Sequence, residues 1–290
     1  MQKKIFLLGV GGQKCGTSWL HDVISGSPHA DMGFAKEYHI HDALTLPECS
    51  RFRDRTLRQV RALKRKGEAP VPGSKLAHRF DFLTRPESYY LYFASVVRRD
   101  GITLTGDFTP SYSGLSVETL ARLRDEIMAQ GLHPKVVFLM RDPVERSWSA
   151  LRMSRRQTAL KNPDHVFETD EFEQLRQTYD QANYVIRGDY GQTLDRLYDV
   201  FGVEDIFLEF YETLFRQDVI DRLCDFSGIP RIDADLKKQV NVSPKTSHIP
   251  DEIAGEIALY YRDVYHALAD RYGAARILDL WWSARFVLEA

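Results

Sequence analysis

The sequence predicts an α/β fold, a central parallel sheet with helices on both faces, and three observations carry that prediction. The apolar run at 4–10 and the stretch PKVVFLM at 134–140 read as short strands buried on both sides. Each is followed by a turn and then by a helical pattern. Strand-like and helix-like segments alternate along most of the chain, which calls for crossover connections and parallel strands. With 290 residues and neither an internal repeat nor a low-complexity linker, the chain reads as a single domain, 1–290.

The first strand is followed by a glycine-rich loop and a helix from about Gly16 to Ser25, ended by SGSP. ITLTGD at 102–107 reads as a second strand, and 117–131 as a helix with Gly131 at its C-cap. After the strand at 134–140, RDPVERSWSALRM opens a helix with Asp142 as N-cap and Pro143 at its first position. YGQTLDRLYDVFG reads as helix, EDIFLEFYETL as strand into turn, and VIDRLCDFSGIP as helix. The stretch from Asp251 to Gly273 reads as one long amphipathic helix. Two stretches break the rhythm: 44–100 reads as irregular with a basic first half, and 152–186 as polar and mixed. Insertions of this length are common places for substrate-binding parts. The basic run at 51–66 is read as a solvated helix face ahead of a site for an acidic acceptor.

Composition narrows the function. Hydrophobic residues make up 43% and charged residues 28%, with a formal net charge of −2, so nothing draws the whole molecule to nucleic acid. An anion site must come from local placement of charge. Three cysteines, Cys15, Cys49 and Cys224, make no disulfide framework and have no zinc spacing. The apolar run at the start is too short for a signal-peptide core, and no membrane span is visible, so the expectation is a cytoplasmic protein.

The loop at 9–18 carries the chemistry. A nucleotide triphosphate loop reads Gly-x-x-x-x-Gly-Lys-Ser/Thr. Here Gly11 would need its lysine where Thr17 stands, and the lysine present is Lys14, two residues before Gly16. Backbone N–H groups around Gly16, Thr17 and Ser18 still open a helix after a strand and form an anion site. The alternative is an ordinary tight strand-to-helix turn.

The stretch Gln13-Lys14-Cys15-Gly16-Thr17-Ser18-Trp19-Leu20 resembles the 5′-phosphosulfate loop of the sulfotransferases that use 3′-phosphoadenosine 5′-phosphosulfate (PAPS), whose pattern is Pro-Lys-Ser/Cys/Gly-Gly-Thr-Thr/Ser-x-Leu. It departs only at Gln13. The resemblance implies a P-loop-NTPase-like form of the α/β fold. It also implies that Lys14 lies near the oxygen bridging phosphate and sulfonate, that Thr17 and Ser18 bind the 5′-phosphate, and that Trp19 either contacts the adenine or is core.

A donor with a ribose 3′-phosphate needs a second anion site. Arg141-Asp142-Pro143 through Ser149 resembles the family's 3′-phosphate motif, Arg-Asp-Pro-x-x-Arg-x-x-Ser. Arg141 stands at the carboxyl end of a strand, where open α/β sheets bind ligands. Its guanidinium fork and the Ser149 hydroxyl suit one phosphate. The competing reading pairs Arg141 with Asp142 or another carboxylate, and Arg146 is read as structural.

Lys36-Glu37-Tyr38-His39 matches the start of the Lys-Glu-x-His-Phe-Phe motif of the heparan-sulfate-type branch, whose glutamate is the base. An acceptor hydroxyl must lose a proton as it attacks sulfur, so Glu37 is the first candidate base and His39 the second. TGDFTPSYS resembles that branch's Glu-Lys-Ser/Thr-Pro-x-Tyr at Thr109, Pro110 and Tyr112, with Asp107 for the glutamate and Phe108 for the lysine. Lys245, in a later loop, is expected to reach the cofactor.

The resemblance therefore implies transfer of a sulfuryl group from PAPS to an acceptor hydroxyl by in-line displacement, without a metal, leaving adenosine 3′,5′-bisphosphate. The acceptor class, whether carbohydrate, lipid or small molecule, is open. The rival readings are a P-loop kinase and a nucleotide-binding protein without chemistry.

Overall fold

A computed structural model describes residues 3–238, 240 and 248–289. Four strands form the sheet: β1 (Ile5–Gly11), β2 (Leu104–Phe108), β3 (His133–Met140) and β4 (Ile206–Phe210). Their order is β2-β1-β3-β4 and every pairing is parallel. The side-chain alternation of a strand explains why the apolar runs are unbroken. Phe6, Leu8 and Val10 of β1 and Val136, Phe138 and Met140 of β3 enter one apolar cluster. Leu7, Val137 and Leu139 enter the other, on the opposite face. Both faces are covered along these runs, and the polar His133 and Lys135 stand half-buried at the amino end of β3.

The topology places the site. The connection from β1 leads to β2 on one side, and the connection from β3 leads to β4 on the other. The crevice between the carboxyl ends of β1 and β3 is therefore the switch point at which open α/β sheets bind ligands. The loop at 11–16 leaves β1 there, and Arg141 follows β3 there.

Several helices form as their sequences predict. Asp142 caps the helix Pro143–Lys161, its carboxylate accepting from the amides of Val144 (2.9 Å) and Glu145 (3.4 Å). Gly131 follows the helix Val117–Ala129 with a φ of +74°. Three expectations are corrected. The stretch 44–100 is not irregular: it holds helices at Ser50–Arg65, Lys75–Thr84 and Glu87–Val96. In the first of these only Thr56 and Val60 are buried, with Phe52, Leu57 and Leu63 half-buried on the same face, and the basic run lies on the solvated side of that helix. The helix after Asp142 continues to Lys161, well into the stretch read as polar and mixed. The long C-terminal helix is two helices, Asp251–Tyr260 and Arg262–Tyr272, separated at Tyr261. Tyr261 is buried and its hydroxyl donates to the Tyr179 carbonyl at 2.7 Å. That tertiary bond is an anchor that the periodicity of the helix does not reveal.

Candidate active site

A cleft of about 770 Å³ opens over the carboxyl ends of β1 and β3. Of the site residues expected from the sequence, Gln13, Lys14, Gly16, Thr17, Ser18, Trp19, Glu37, His39, Arg141 and Ser149 all line it. Lys245 lies outside the described residues. Among the described residues, eight of those lining it are lysine or arginine and one, Glu37, is acidic, so a chain of net charge −2 concentrates positive potential in this cleft.

The loop builds one end. Gly16 precedes the helix Thr17–Ser25 with a φ of +92°, and a Cβ there would lie 2.4 Å from Leu214 Cδ2, so only glycine suits the position. The first amides of that helix have no intrahelical acceptor and face the cleft end of the helix dipole. Gly12 donates to the Leu139 carbonyl at 2.6 Å, tying the loop to β3. Cys15 points backwards into the core, fully buried, with Sγ 3.7 Å from the Tyr190 hydroxyl, and burial pushes its thiol up to about 11. Its side chain packs the loop from behind. Trp19 is 2% exposed, tilted against Phe215 at 4.8 Å, with its indole N–H on the Asp235 carbonyl. It is thus a core residue with an edge on the cleft. Lys14 has a φ of +66°, and burial, followed by the charges of Arg156, Arg141 and Arg152, lowers its ammonium to about 8.

Arg141 joins the two halves. Its Nη1 donates to the Lys14 carbonyl at 3.1 Å, its Nη2 to Glu145 Oε2 at 3.0 Å, and its guanidinium lies 4.1 Å from the Tyr211 ring centroid. Its Nε is buried without a hydrogen-bond partner. The partner carboxylate is Glu145, one helical turn along, while Asp142 is occupied as a cap and by Ser283. Arg146 is fully buried, its Nη2 on Ser147 Oγ (3.0 Å) and the Tyr261 hydroxyl (3.4 Å), away from the cleft. Because the helix runs on to Lys161, Arg152, Met153, Arg156 and Gln157 join Ser149 on the cleft wall. Sequence reasoning missed these. The i, i+3, i+7 spacing of Ser149, Arg152 and Arg156 on one helix face was the available signal.

The other end centres on His39. Its Nδ1 is 2.6 Å from Asp42 Oδ2 and its Nε2 is 3.3 Å from Glu37 Oε2, while the ring stacks on Phe52 with centroids 3.5 Å apart. Burial alone would lower the His39 pKa, but the two carboxylates outweigh it and raise it. Burial likewise pushes Glu37 upward. His39 and Lys36, the latter 2.6 Å away, overcome that and hold the Glu37 carboxyl down at about 2. Asp42, which the sequence did not single out, is fully buried and also accepts from Ser111 Oγ at 2.5 Å. It stands three residues after His39, at the start of a short helix, His41–Thr45.

The TGDFTPSYS segment holds this end in place. Asp107 accepts from the Tyr89 and Tyr112 hydroxyls (2.9 Å each) and from Thr109 Oγ1 (2.6 Å), and burial pushes its carboxyl up to about 6. Thr109 Oγ1 accepts in turn from the amide of Tyr38 at 3.1 Å, and the Tyr112 hydroxyl accepts from that of Ile40 at 3.4 Å. Asp107 is thus a buried hub that sets the backbone around His39, and Phe108 is a fully buried core residue.

The sulfotransferase domain family matches residues 2–247. The chain belongs to the sulfotransferase family. The solved structure of a sulfotransferase from Alicyclobacillus acidocaldarius shares its fold, with a TM-score of 0.57 and 21% identity over 92% of this chain and 95% of that one. The sulfotransferase domain from the Curacin biosynthetic pathway aligns with a TM-score of 0.44 and 16% identity, over 85% of this chain and 81% of that one. No curated protein matches the sequence. In this sulfotransferase, among the described residues, no group of three or more His, Cys, Asp or Glu is placed to hold a metal, and no helix is long and apolar enough to cross a membrane.

Proposed function

We propose that this sulfotransferase transfers a sulfuryl group from PAPS to an acceptor hydroxyl. The observation that carries the reading is the convergence of two anion-seeking groups in one cleft, beside an ionised carboxylate: the helix start at Thr17 with Lys14, and Arg141 with Ser149. Arg141 fits a phosphate because its Nε is buried without a partner in a cleft dominated by positive charge.

The donor supplies the activated sulfuryl group, and adenosine 3′,5′-bisphosphate is the product. Thr17, Ser18 and the loop amides from Gln13 hold the 5′-phosphate, and Arg141 with Ser149 holds the 3′-phosphate. Lys14 neutralises charge on the departing phosphate oxygen, a preorganised electrostatic role of the kind that supplies most of the rate in such sites. Glu37 takes the acceptor proton. Asp42 fixes the ring of His39, and His39 fixes Glu37. The lysine and arginine charges supply what a metal supplies in many phosphoryl transferases. Residues 1–290 act as one unit, and the stretches 44–100 and 152–186 shape the acceptor end, contributing Arg51 and Phe52 from the first and Met153 from the second.

The test is calorimetric titration with adenosine 3′,5′-bisphosphate, ATP and AMP, each with and without chelator. Binding of the bisphosphate in chelator, lost in Arg141→Ala, is the expected result. Magnesium-dependent binding of ATP with none of the bisphosphate would overturn the reading.

A further inference from the structure

Two arginines line the cleft beside His39 and belong to neither phosphate site. Arg187 is 4% exposed, and its guanidinium donates to the Asn183 carbonyl and, at 3.4 Å, to Cys49 Sγ. Arg51 is exposed, with its guanidinium 5.1 Å from the Phe52 ring. Among the described residues, neither has a carboxylate within ion-pair distance. Asp42, the carboxylate whose charge acts on Arg187, is committed to His39 and Ser111. Burying a guanidinium without an anion is costly, and such groups are normally paired. Burial lowers the Arg187 pKa. Cys49 and Asp42 oppose that, whereas the charge of Arg51 adds to it, so the two guanidinium charges repel one another.

We propose that Arg51 and Arg187 form an anion subsite at the acceptor end of the cleft, and that the acceptor is a hydroxylated organic molecule carrying a carboxylate or phosphate. This rests on the donor reading given above. Arg51 is two residues beyond Cys49, whose sulfur Arg187 touches, and the neighbouring Phe52 stacks on the candidate relay residue His39. The subsite is therefore local to the groups that receive the acceptor proton, while Lys14, Arg141, Arg152 and Arg156 cluster around the loop. Phe52, Pro110 and Met153 give the same cleft apolar wall, suited to the body of a small acceptor. Phe108 is buried and contributes nothing to recognition, so the charge that draws the acceptor comes from different elements, the Ser50–Arg65 helix and the segment before Tyr190.

The experiment uses the full chain saturated with adenosine 3′,5′-bisphosphate, which fills both nucleotide phosphate sites. Inorganic phosphate and benzoate are then titrated separately, into the native protein and into Arg51→Gln and Arg187→Lys. One further anion is expected to bind, with affinity falling by about tenfold or more in each variant, the scale of one lost charge-assisted hydrogen bond. A preference for benzoate assigns a carboxylate acceptor and a preference for phosphate a phosphorylated one. Unchanged bisphosphate affinity in the variants shows that they are folded. Anion binding that is absent in the native protein, or equal in all three, overturns the subsite; in the latter case the anion sits against Lys14. Failure of the bisphosphate itself to bind overturns the donor reading, and this proposal with it.

Discussion

Asp42 Oδ2 lies 2.6 Å from Nδ1 of His39, in a fully buried position, and this contact orients the ring that carries Glu37 on its other nitrogen. A histidine held between two carboxylates stays charged to higher pH than a free one. The folded-state pKa is raised, so the stability the pair contributes is present below the ordinary histidine value and lost as pH rises through the folded one. Lys36, Glu37, Asp42 and the Ser111 hydroxyl face this group. Asp42→Asn removes the charge that favours the imidazolium. His39 should then titrate at lower pH in an NMR titration, and the limb of the kcat profile that follows it should move the same way. Bisphosphate affinity should not change, because Asp42 does not line the cleft. A pH profile identical to that of the native protein would confine Asp42 to packing.

Glu37→Gln tests the base. The carboxyl is held down at about 2, so it is ionised throughout the working range, and turnover should show no acid limb from Glu37 near the ordinary carboxylate value. The glutamine variant should keep bisphosphate affinity and lose kcat, by about a hundredfold or more on the scale of general-base loss. An undiminished rate would pass the role of base to His39.

Burial, followed by the charges of Arg156, Arg141 and Arg152, lowers the Lys14 ammonium to about 8. An anion beside it favours the charged form, so bisphosphate binding above that pH must take up a proton. Calorimetry in buffers of different ionisation enthalpy should detect the uptake, and Lys14→Ala should abolish it. The same substitution should reduce turnover by roughly 10²-fold or more, the usual cost of removing one preorganised donor. Uptake that persists in the variant would assign the proton elsewhere.

Gly16→Ala tests the loop. At a φ of +92° an alanine is strained by roughly 1–2 kcal/mol, and its Cβ would stand 2.4 Å from Leu214 Cδ2, forcing the loop or Leu214 to move. The denaturation midpoint should fall and bisphosphate affinity should fall with it. A stable variant with native affinity would show that the loop tolerates another conformation.

How much was legible depended on what each residue packs against. Strands β1 and β3 were readable because burial on both faces demands an unbroken apolar run, which few other structures produce. The loop was readable as a strand-to-helix turn because glycines and the Gly16-Thr17-Ser18 start follow a buried strand directly, and Gly16 takes the positive φ that such a turn needs. The helix Ser50–Arg65 was readable only as a solvated basic face, because its buried side consists of little more than Thr56 and Val60. Arg152 and Arg156 were hidden for a similar reason: the polar sequence beyond Leu151 conceals a helix that continues along the cleft.

The sequence by itself determined the parallel α/β sheet, the strand-to-helix loop after β1 and the strand-end Arg141, since each is local and depends on residues adjacent in the chain. Only the tertiary structure decided that Asp42 orients His39, that Asp107 is a hub rather than a cleft residue, and that Arg51 and Arg187 line one cleft. Arg51 and Arg187 are 136 positions apart, and they come to line one cleft only in the folded chain, one from the Ser50–Arg65 helix and the other from the segment before Tyr190. Long-range charge pairing has no periodicity along the chain, so it leaves no pattern to read there.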